Sequence, residues 1–176
     1  MRRLAGRQRH DRALTLKALG DTGRKLYLYD TYEGMVQPTE KDVFVYDGVS
    51  AIDTYNELGP GRWCYASLED VKQNMESTGY PADKFVYVKG KVEETIPGVL
   101  PERIALLRLD TDWYDSTYHE LVHMFPRLTP GGVLIIDDYG TWAGSKEATD
   151  KYFAEHGVHM LMNRLENGGR IGVKRL

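Results

Sequence analysis

The sequence predicts an α/β fold, a mostly parallel sheet with helices on both faces and an antiparallel strand near one edge. Three observations carry this. Strand-length apolar runs alternate with helix-patterned segments along most of the 176 residues. Three of those runs end in aspartate: residues 26–30 at Asp30, 106–112 at Asp110 and Asp112, and 132–138 at Asp137 and Asp138. The carboxyl ends of parallel strands are where ligands bind in open α/β sheets. Finally, Glu166-Asn167-Gly168-Gly169 separates two short strand-like segments, which is a hairpin signal.

The elements follow in order. Arg2, Arg3, Arg7, Arg9 and Arg12 crowd a stretch whose one counter-charge is Asp11, so residues 1–12 read as a basic, disordered tail and 13–176 as a single domain. Leu14, Leu16, Ala18 and Leu19 give residues 13–19 a helical pattern, with Gly20 as its stop. Residues 25–30 are a strand. Residues 31–61 form a long polar connection with some helix near 51–58; a connection of that length serves as a lid or binding segment. Ser67-Leu68-Glu69-Asp70 opens a helix reaching about residue 78. Strands follow at 85–89 and 104–110. A crossover helix over 116–125 is ended by Pro126. Pro130-Gly131-Gly132 turns the chain into a strand at 133–137. A helix at 145–156 and the hairpin strands 159–165 and 170–174 complete the chain, giving antiparallel pairing at one edge.

Composition narrows the function. The length suffices for a core of real size. Apolar content of 41% and charged content of 28% are ordinary for a globular protein. A net charge of −3 argues against general nucleic-acid binding. No apolar run spans a bilayer, and no leader pattern follows Met1, so neither membrane nor export is expected. The one cysteine, Cys64, rules out a disulfide framework and fits a reducing, cytoplasmic setting.

Asp110-Thr111-Asp112 suits three chemistries: a metal ligand with a base, the acid pair of a haloacid-dehalogenase-type phosphatase, or the metal pair of a nucleotide-sugar glycosyltransferase. The bland alternative is a helix cap beside a solvated carboxylate. Asp137-Asp138 stands 27 residues after Asp110, which places both sets on neighbouring strands. Carboxylates that close raise one another's pKa unless a cation holds them ionised. No lysine lies between the two sets, which counts against the phosphatase. His119-Glu120-Leu121-Val122-His123 matches the zinc-hydrolase pattern H-E-x-x-H, with a solvated crossover helix as the bland reading. Asp30 sits where nucleotide-binding folds place an acid for ribose hydroxyls. Gly90, between Lys89 and Lys91, permits close backbone approach to a flat ligand.

Three blocks resemble the macrocin O-methyltransferase family, metal-dependent class I methyltransferases of antibiotic sugar tailoring. They are residues 26–35, 107–117 and 126–140, within a likeness running from about residue 13 to the C-terminus. The resemblance implies a class I, Rossmann-like fold. It implies S-adenosylmethionine as donor, Mg2+ as metal, and an acceptor hydroxyl on a sugar-bearing natural product or glycan. By the same resemblance Asp110, Asp137 and Asp138 are metal ligands and Asp112 is the general base. Asp30, with Thr31 beside it, holds the ribose, and Lys91 and Val92 lie near the adenine. Relatives also carry an apolar strand and a G-x-x-x-G-G turn ahead of the first helix. Here residues 1–12 stand in that place with Gly6 alone, so a central strand is expected to be missing, two inner strand edges to be left unpaired, and self-association to be favoured. The open alternatives are a truncated, non-catalytic remnant, a D-x-D glycosyltransferase and a zinc hydrolase on His119 and His123.

Overall fold

A computed structural model describes residues 4–166 and 168–175. The chain divides into two compact units, Met1–Val36 with Leu58–Lys91, and Gln37–Glu57 with Val92–Leu176.

In the first unit, α1 (Leu4–Ala18) and α3 (Leu68–Glu76) accompany a parallel pair, β1 (Leu26–Asp30) and β2 (Phe85–Lys89). From Leu4 onward the basic segment expected as a tail is helix; Arg2 and Arg3 lie outside the described residues. Leu, Arg, Gln and Ala are strong helix formers. The helix is also anchored: Ala13 is fully buried, and the Lys17 ammonium donates to the Thr78 carbonyl at 3.0 Å. Together these outweigh the like-charge repulsion that suggested disorder. Ser67 caps α3 as its sequence implied, accepting from the Asp70 amide at 3.1 Å. Leu28, Tyr32, Val71, Met75, Tyr80 and Phe85 close the core with Ala13. Two of its tyrosines satisfy their hydroxyls on backbone carbonyls, Tyr32 on Leu28 and Tyr80 on Arg24, each at 2.9 Å.

The second unit carries α2 (Ala51–Leu58, its last residue counted with the first unit) and α4 (Val92–Thr95). Its sheet has the order β3-β4-β6-β5, from β3 (Ile104–Leu109), β4 (Leu128–Ile136), β5 (Asn163–Arg164) and β6 (Arg170–Val173). α5 (Tyr114–Met124) is the crossover between the parallel β3 and β4, and α6 (Ala143–Glu155) follows β4. The expected antiparallel hairpin is present: β6 pairs with β4 on one side and β5 on the other. Asn167 of its turn lies outside the described residues. β4 begins earlier than the glycines suggested. Its register steps from Ile104 opposite Leu128 to Leu106 opposite Val133, so the Pro130-Gly131-Gly132 turn bulges out between two paired stretches. Leu107, Leu109, Leu121, Leu134, Ile136 and Ala148 fill the core, and Trp113 meets Trp142 edge-on at 5.1 Å.

Among the described residues β1 has β2 as its one strand partner, and β3 has β4 as its own.

Candidate active site

The tip of the β3–β4 pair assembles the acidic residues. Leu109 pairs with Ile136, and the Asp137 amide donates to the Leu109 carbonyl at 3.0 Å, which carries the ladder one step past both strands. Asp110 and Asp137 are thereby neighbours. A strand's two-residue period puts Arg108 and Asp110 on one face, and Ile135 and Asp137 on the matching face of the partner. Arg108 uses this. Its Nη1 lies 3.1 Å from Asp110 Oδ2 and its Nη2 2.6 Å from Asp137 Oδ2, with 6% of the side chain exposed. A buried guanidinium is tolerated only when paired, and Asp137 is its nearer partner. The sequence reading missed Arg108; the R-x-D alternation at the end of β3 was the available signal.

Beyond β3 the chain turns sharply. The Trp113 amide donates to the Thr111 carbonyl at 2.8 Å, and Asp112 adopts φ 67°. That left-handed conformation is uncommon for a residue with a Cβ, though aspartate tolerates it. One carboxylate oxygen each from Asp110, Asp112 and Asp138 then lie within 4.8 Å of one another, the one set of three such groups among the described residues. Of the expected ligands, Asp110 and Asp138 fall within this cluster and Asp137 does not. Asp112 joins the cluster, and Asp137 is held on Arg108 outside it. No histidine belongs to the set, so His119 and His123 stand apart from it.

Burial, and then the charge of Asp110, pushes Asp112 up to about 7, against opposing hydrogen bonds from Asp138 and Trp142. Burial likewise holds Asp138 well above the usual carboxylate range, with Asp112, Asp110 and Asp137 adding to it. Oδ2 of Asp138 is buried with no hydrogen-bond partner. Crowded, desolvated carboxylates with an orphaned oxygen fit a hard dication, which takes oxygen donors and cancels the repulsion.

Two further residues frame this turn. α5 lacks a capping side chain, since Trp113 stands at its N-cap. Asp42, fully buried and remote in sequence, supplies the cap: Oδ1 accepts from the Tyr114 amide at 2.8 Å, and Oδ2 from the Thr39 amide and hydroxyl at 2.7 and 2.9 Å. Gly144 packs so close that a Cβ there would lie 2.1 Å from Asp42 Oδ1. Nothing in the sequence pattern pointed to Asp42.

Glu120, read as the glutamate of a zinc motif, instead lies buried under the turn, where Oε2 accepts from the Thr111 hydroxyl at 2.8 Å. The two histidines of that motif are half-buried with rings 4.5 Å apart, and His119 Nε2 sits 3.0 Å from the Ile96 carbonyl. Burial pushes Glu120 up to about 8, helped by Glu93 and Asp110 and opposed by Thr111. An acid with a raised folded-state pKa binds its proton more tightly when folded, so stability falls as pH rises from the ordinary 4.5 toward 8. Glu120→Gln keeps the acceptor oxygen without the charge. The variant is expected to match the parent near pH 5 and to exceed it by roughly 2–4 kcal/mol at pH 8 and above. Urea denaturation at the two pH values measures this; equal pH profiles for parent and variant would contradict it.

In the first unit, the Gly90 amide donates to the Asp30 carbonyl at 3.1 Å, which brings the tip of β1 to the 89–91 segment. Gly90 has φ 136°, a conformation that glycine adopts without strain. Asp30 Oδ1 accepts from the Tyr32 amide at 2.8 Å. The Thr31 hydroxyl donates to the Gly34 carbonyl at 2.6 Å and accepts from the Glu33 amide at 3.2 Å, so it shapes the turn. Lys91 is exposed, whereas Val92 opens α4 in the second unit with its side chain buried.

Comparison with known proteins gives these tips a setting. The family model described as macrocin-O-methyltransferase (TylF) matches residues 12–171. A Streptomyces olivaceus protein, 8-demethyl-8-(2,3-dimethoxy-alpha-L-rhamnosyl)-tetracenomycin-C 4'-O-methyltransferase, is 32% identical over 154 residues, 88% of this chain and 56% of its own length. The mycinamicin III 3''-O-methyltransferase of Micromonospora griseorubida is 34% identical over 143 residues, 81% of this chain and 54% of its own. The chain thus spans about half the length of these relatives. Among solved structures, the O-methyltransferase NovP is similar in fold, with a TM-score of 0.80 at 21% identity over 96% of this chain and 67% of that one. No helix among the described residues is long and apolar enough to cross a membrane. With 160 consecutive residues matched by the family model and the acidic strand tips in place, this chain belongs to the macrocin-O-methyltransferase family.

Proposed function

We propose that the chain carries out, or contributes the catalytic half of, methyl transfer from S-adenosylmethionine to a hydroxyl of a sugar-bearing natural product or glycan. Family membership supports the donor and the reaction type, and the relatives' own names, both sugar or glycoside O-methyltransferases, support the acceptor class. The observation that carries the site assignment is the cluster of Asp110, Asp112 and Asp138 with its orphaned buried oxygen.

In this reading Asp110 and Asp138 would hold Mg2+, a hard cation suited to carboxylate oxygens. The bound ion supplies positive charge that favours the deprotonated form of a nearby hydroxyl. Asp112, in the same cluster as the two ligands, would take the hydroxyl proton. Arg108 fixes the direction of Asp110 and holds Asp137. Asp30 orients the donor's ribose, with Thr31 keeping its turn in shape and the 91–92 segment facing the adenine.

The second reading is a remnant that binds neither donor nor metal by itself. It is favoured by β1 and β3 each having a single strand partner among the described residues. Calorimetric titration with Mg2+ and with S-adenosylmethionine separates the two. Micromolar donor binding together with Mg2+ binding supports the methyltransferase reading, and absence of both establishes the remnant.

A further inference from the structure

α5 turns one face to the core, and Glu120 stands on that face. Thr117, three residues earlier, and Met124, four residues later, are buried on the same stripe. An apolar side chain is the ordinary occupant of such a position. Glu120 instead brings a carboxyl there with 4% of the residue exposed. Among the described residues its side chain has one hydrogen bond, from the Thr111 hydroxyl at 2.8 Å. Burial raises its pKa to about 8, so the group is kept at a cost to folding above its ordinary 4.5. A local rule broken at such a cost directs attention to what the one contact holds.

That contact holds one side of a strained turn. The Trp113 amide bonds back to the Thr111 carbonyl at 2.8 Å, across Asp112 with its φ of 67°. A three-residue turn closed around a positive φ is rare, and it persists only where its surroundings fix it. After Asp112 the fixing is heavy. Trp113 is 2% exposed against the edge of Trp142, and Asp42 accepts from the Tyr114 amide. Before Asp112 the strand pairing stops at Leu109, and Arg108 grips Asp110 by its side chain. The Thr111 hydroxyl on Glu120 supplies the anchor on that side.

We propose that Glu120 is a positioning residue for the reaction: through the Thr111 hydroxyl it holds the turn that aims the Asp112 carboxylate into the acidic cluster. This rests on the methyltransferase reading above, in which Asp112 takes the acceptor's proton. Glu120 touches neither metal nor substrate, and its effect passes through the backbone of residues 111–113.

Amide hydrogen exchange on the metal-free chain, followed by NMR, tests the hold on the turn without any need for activity. In Glu120→Leu and in Thr111→Val the Trp113 amide should exchange at least about tenfold faster than in the parent. The Asp137 amide, which reports the neighbouring ladder, should change by less than about twofold. Glu120→Gln keeps an acceptor oxygen and should restore slow exchange at Trp113. The Thr111→Val/Glu120→Leu pair should exchange no faster than either single variant, because both remove the same bond. Turnover with Mg2+, S-adenosylmethionine and methyl α-L-rhamnoside is the second readout. In Glu120→Leu kcat should fall about 10- to 100-fold with KM for the donor within about twofold, and Glu120→Gln should recover most of it. Unchanged Trp113 exchange in both single variants, equal acceleration at Trp113 and Asp137, or a Glu120→Gln as impaired as Glu120→Leu overturns the proposal. A parent without turnover whose Trp113 amide still responds as expected would refute the methyltransferase reading and leave the hold of Glu120 on the turn established.

Discussion

Asp138→Asn is expected to abolish Mg2+ binding and methyl transfer while raising the stability of the metal-free chain. The two effects share one cause. Asp138 is half-buried beside Asp112 and Asp110, its buried Oδ2 has no hydrogen-bond partner, and its carboxyl is held well above the usual range. A raised acid is a cost to folding at any pH above its ordinary pKa of 3.8, and the cost grows with pH until the folded-state value is passed. Asparagine removes the charge and keeps a donor for Asp112. The metal-free variant should be more stable than the parent at pH 7 and melt at a higher temperature, by an amount that grows with pH. With the oxygen donors reduced, Mg2+ affinity should fall by at least ~100-fold and turnover by about 100- to 1000-fold. The parent behaves in reverse, since a ligand that binds only the folded state stabilises it, by about 2.7 kcal/mol at a hundred times its Kd. Thermal melts of both proteins with and without millimolar Mg2+ decide the matter. A parent insensitive to Mg2+, or a variant that melts lower than the parent without metal, would sink the acidic-cluster assignment.

Asp42→Ala is expected to be the most destabilising single change in the second unit. The side chain is fully buried and accepts three hydrogen bonds, from the Tyr114 amide, the Thr39 amide and the Thr39 hydroxyl. Alanine leaves those donors buried and unpaired, at about 1–3 kcal/mol for each fully orphaned group. Discounted for relaxation and water entry, the loss should be roughly 3 kcal/mol, or of the order of 10 °C in Tm. It also removes an acceptor from the N-terminus of α5, where a negative group opposes the helix dipole. Asparagine should recover part of this, because its carbonyl can still face the Tyr114 amide while its amide group faces the Thr39 donors. Urea denaturation of Asp42→Ala within 1 kcal/mol of the parent would show that the segment around Asp42 does not brace α5 as described.

Much of the architecture was readable from periodicity. β2 at residues 85–89 and α2 at residues 51–58 fall where alternation and apolar spacing placed them. The hairpin followed from its glycine turn. α1 was misjudged in its first half because charge crowding was weighed above helix propensity and the pull of a buried Ala13. The bulge in β4 escaped notice because Pro130-Gly131-Gly132 reads locally as a turn, and only pairing on both sides, including Gly131 with Lys174, keeps it in the strand.

Within the site, the sequence by itself determined which carboxylates reach the tip of the β3–β4 pair. Two apolar runs 27 residues apart that each end in aspartate leave a parallel pair little other register, because a one-residue slip would turn Leu107, Leu109, Leu134 and Ile136 out of the core. Which of those carboxylates face one another was decided by the tertiary structure. Buried Arg108 draws Asp137 to itself, while the left-handed turn at Asp112 swings that side chain toward Asp138. Asp42 and Glu120 entered the same way, each brought beside the turn by packing across the unit. Strand pattern is a local property carried by neighbours along the chain. The choice of partner for a buried charge depends on desolvation and on groups distant in sequence, which only the folded chain brings within reach.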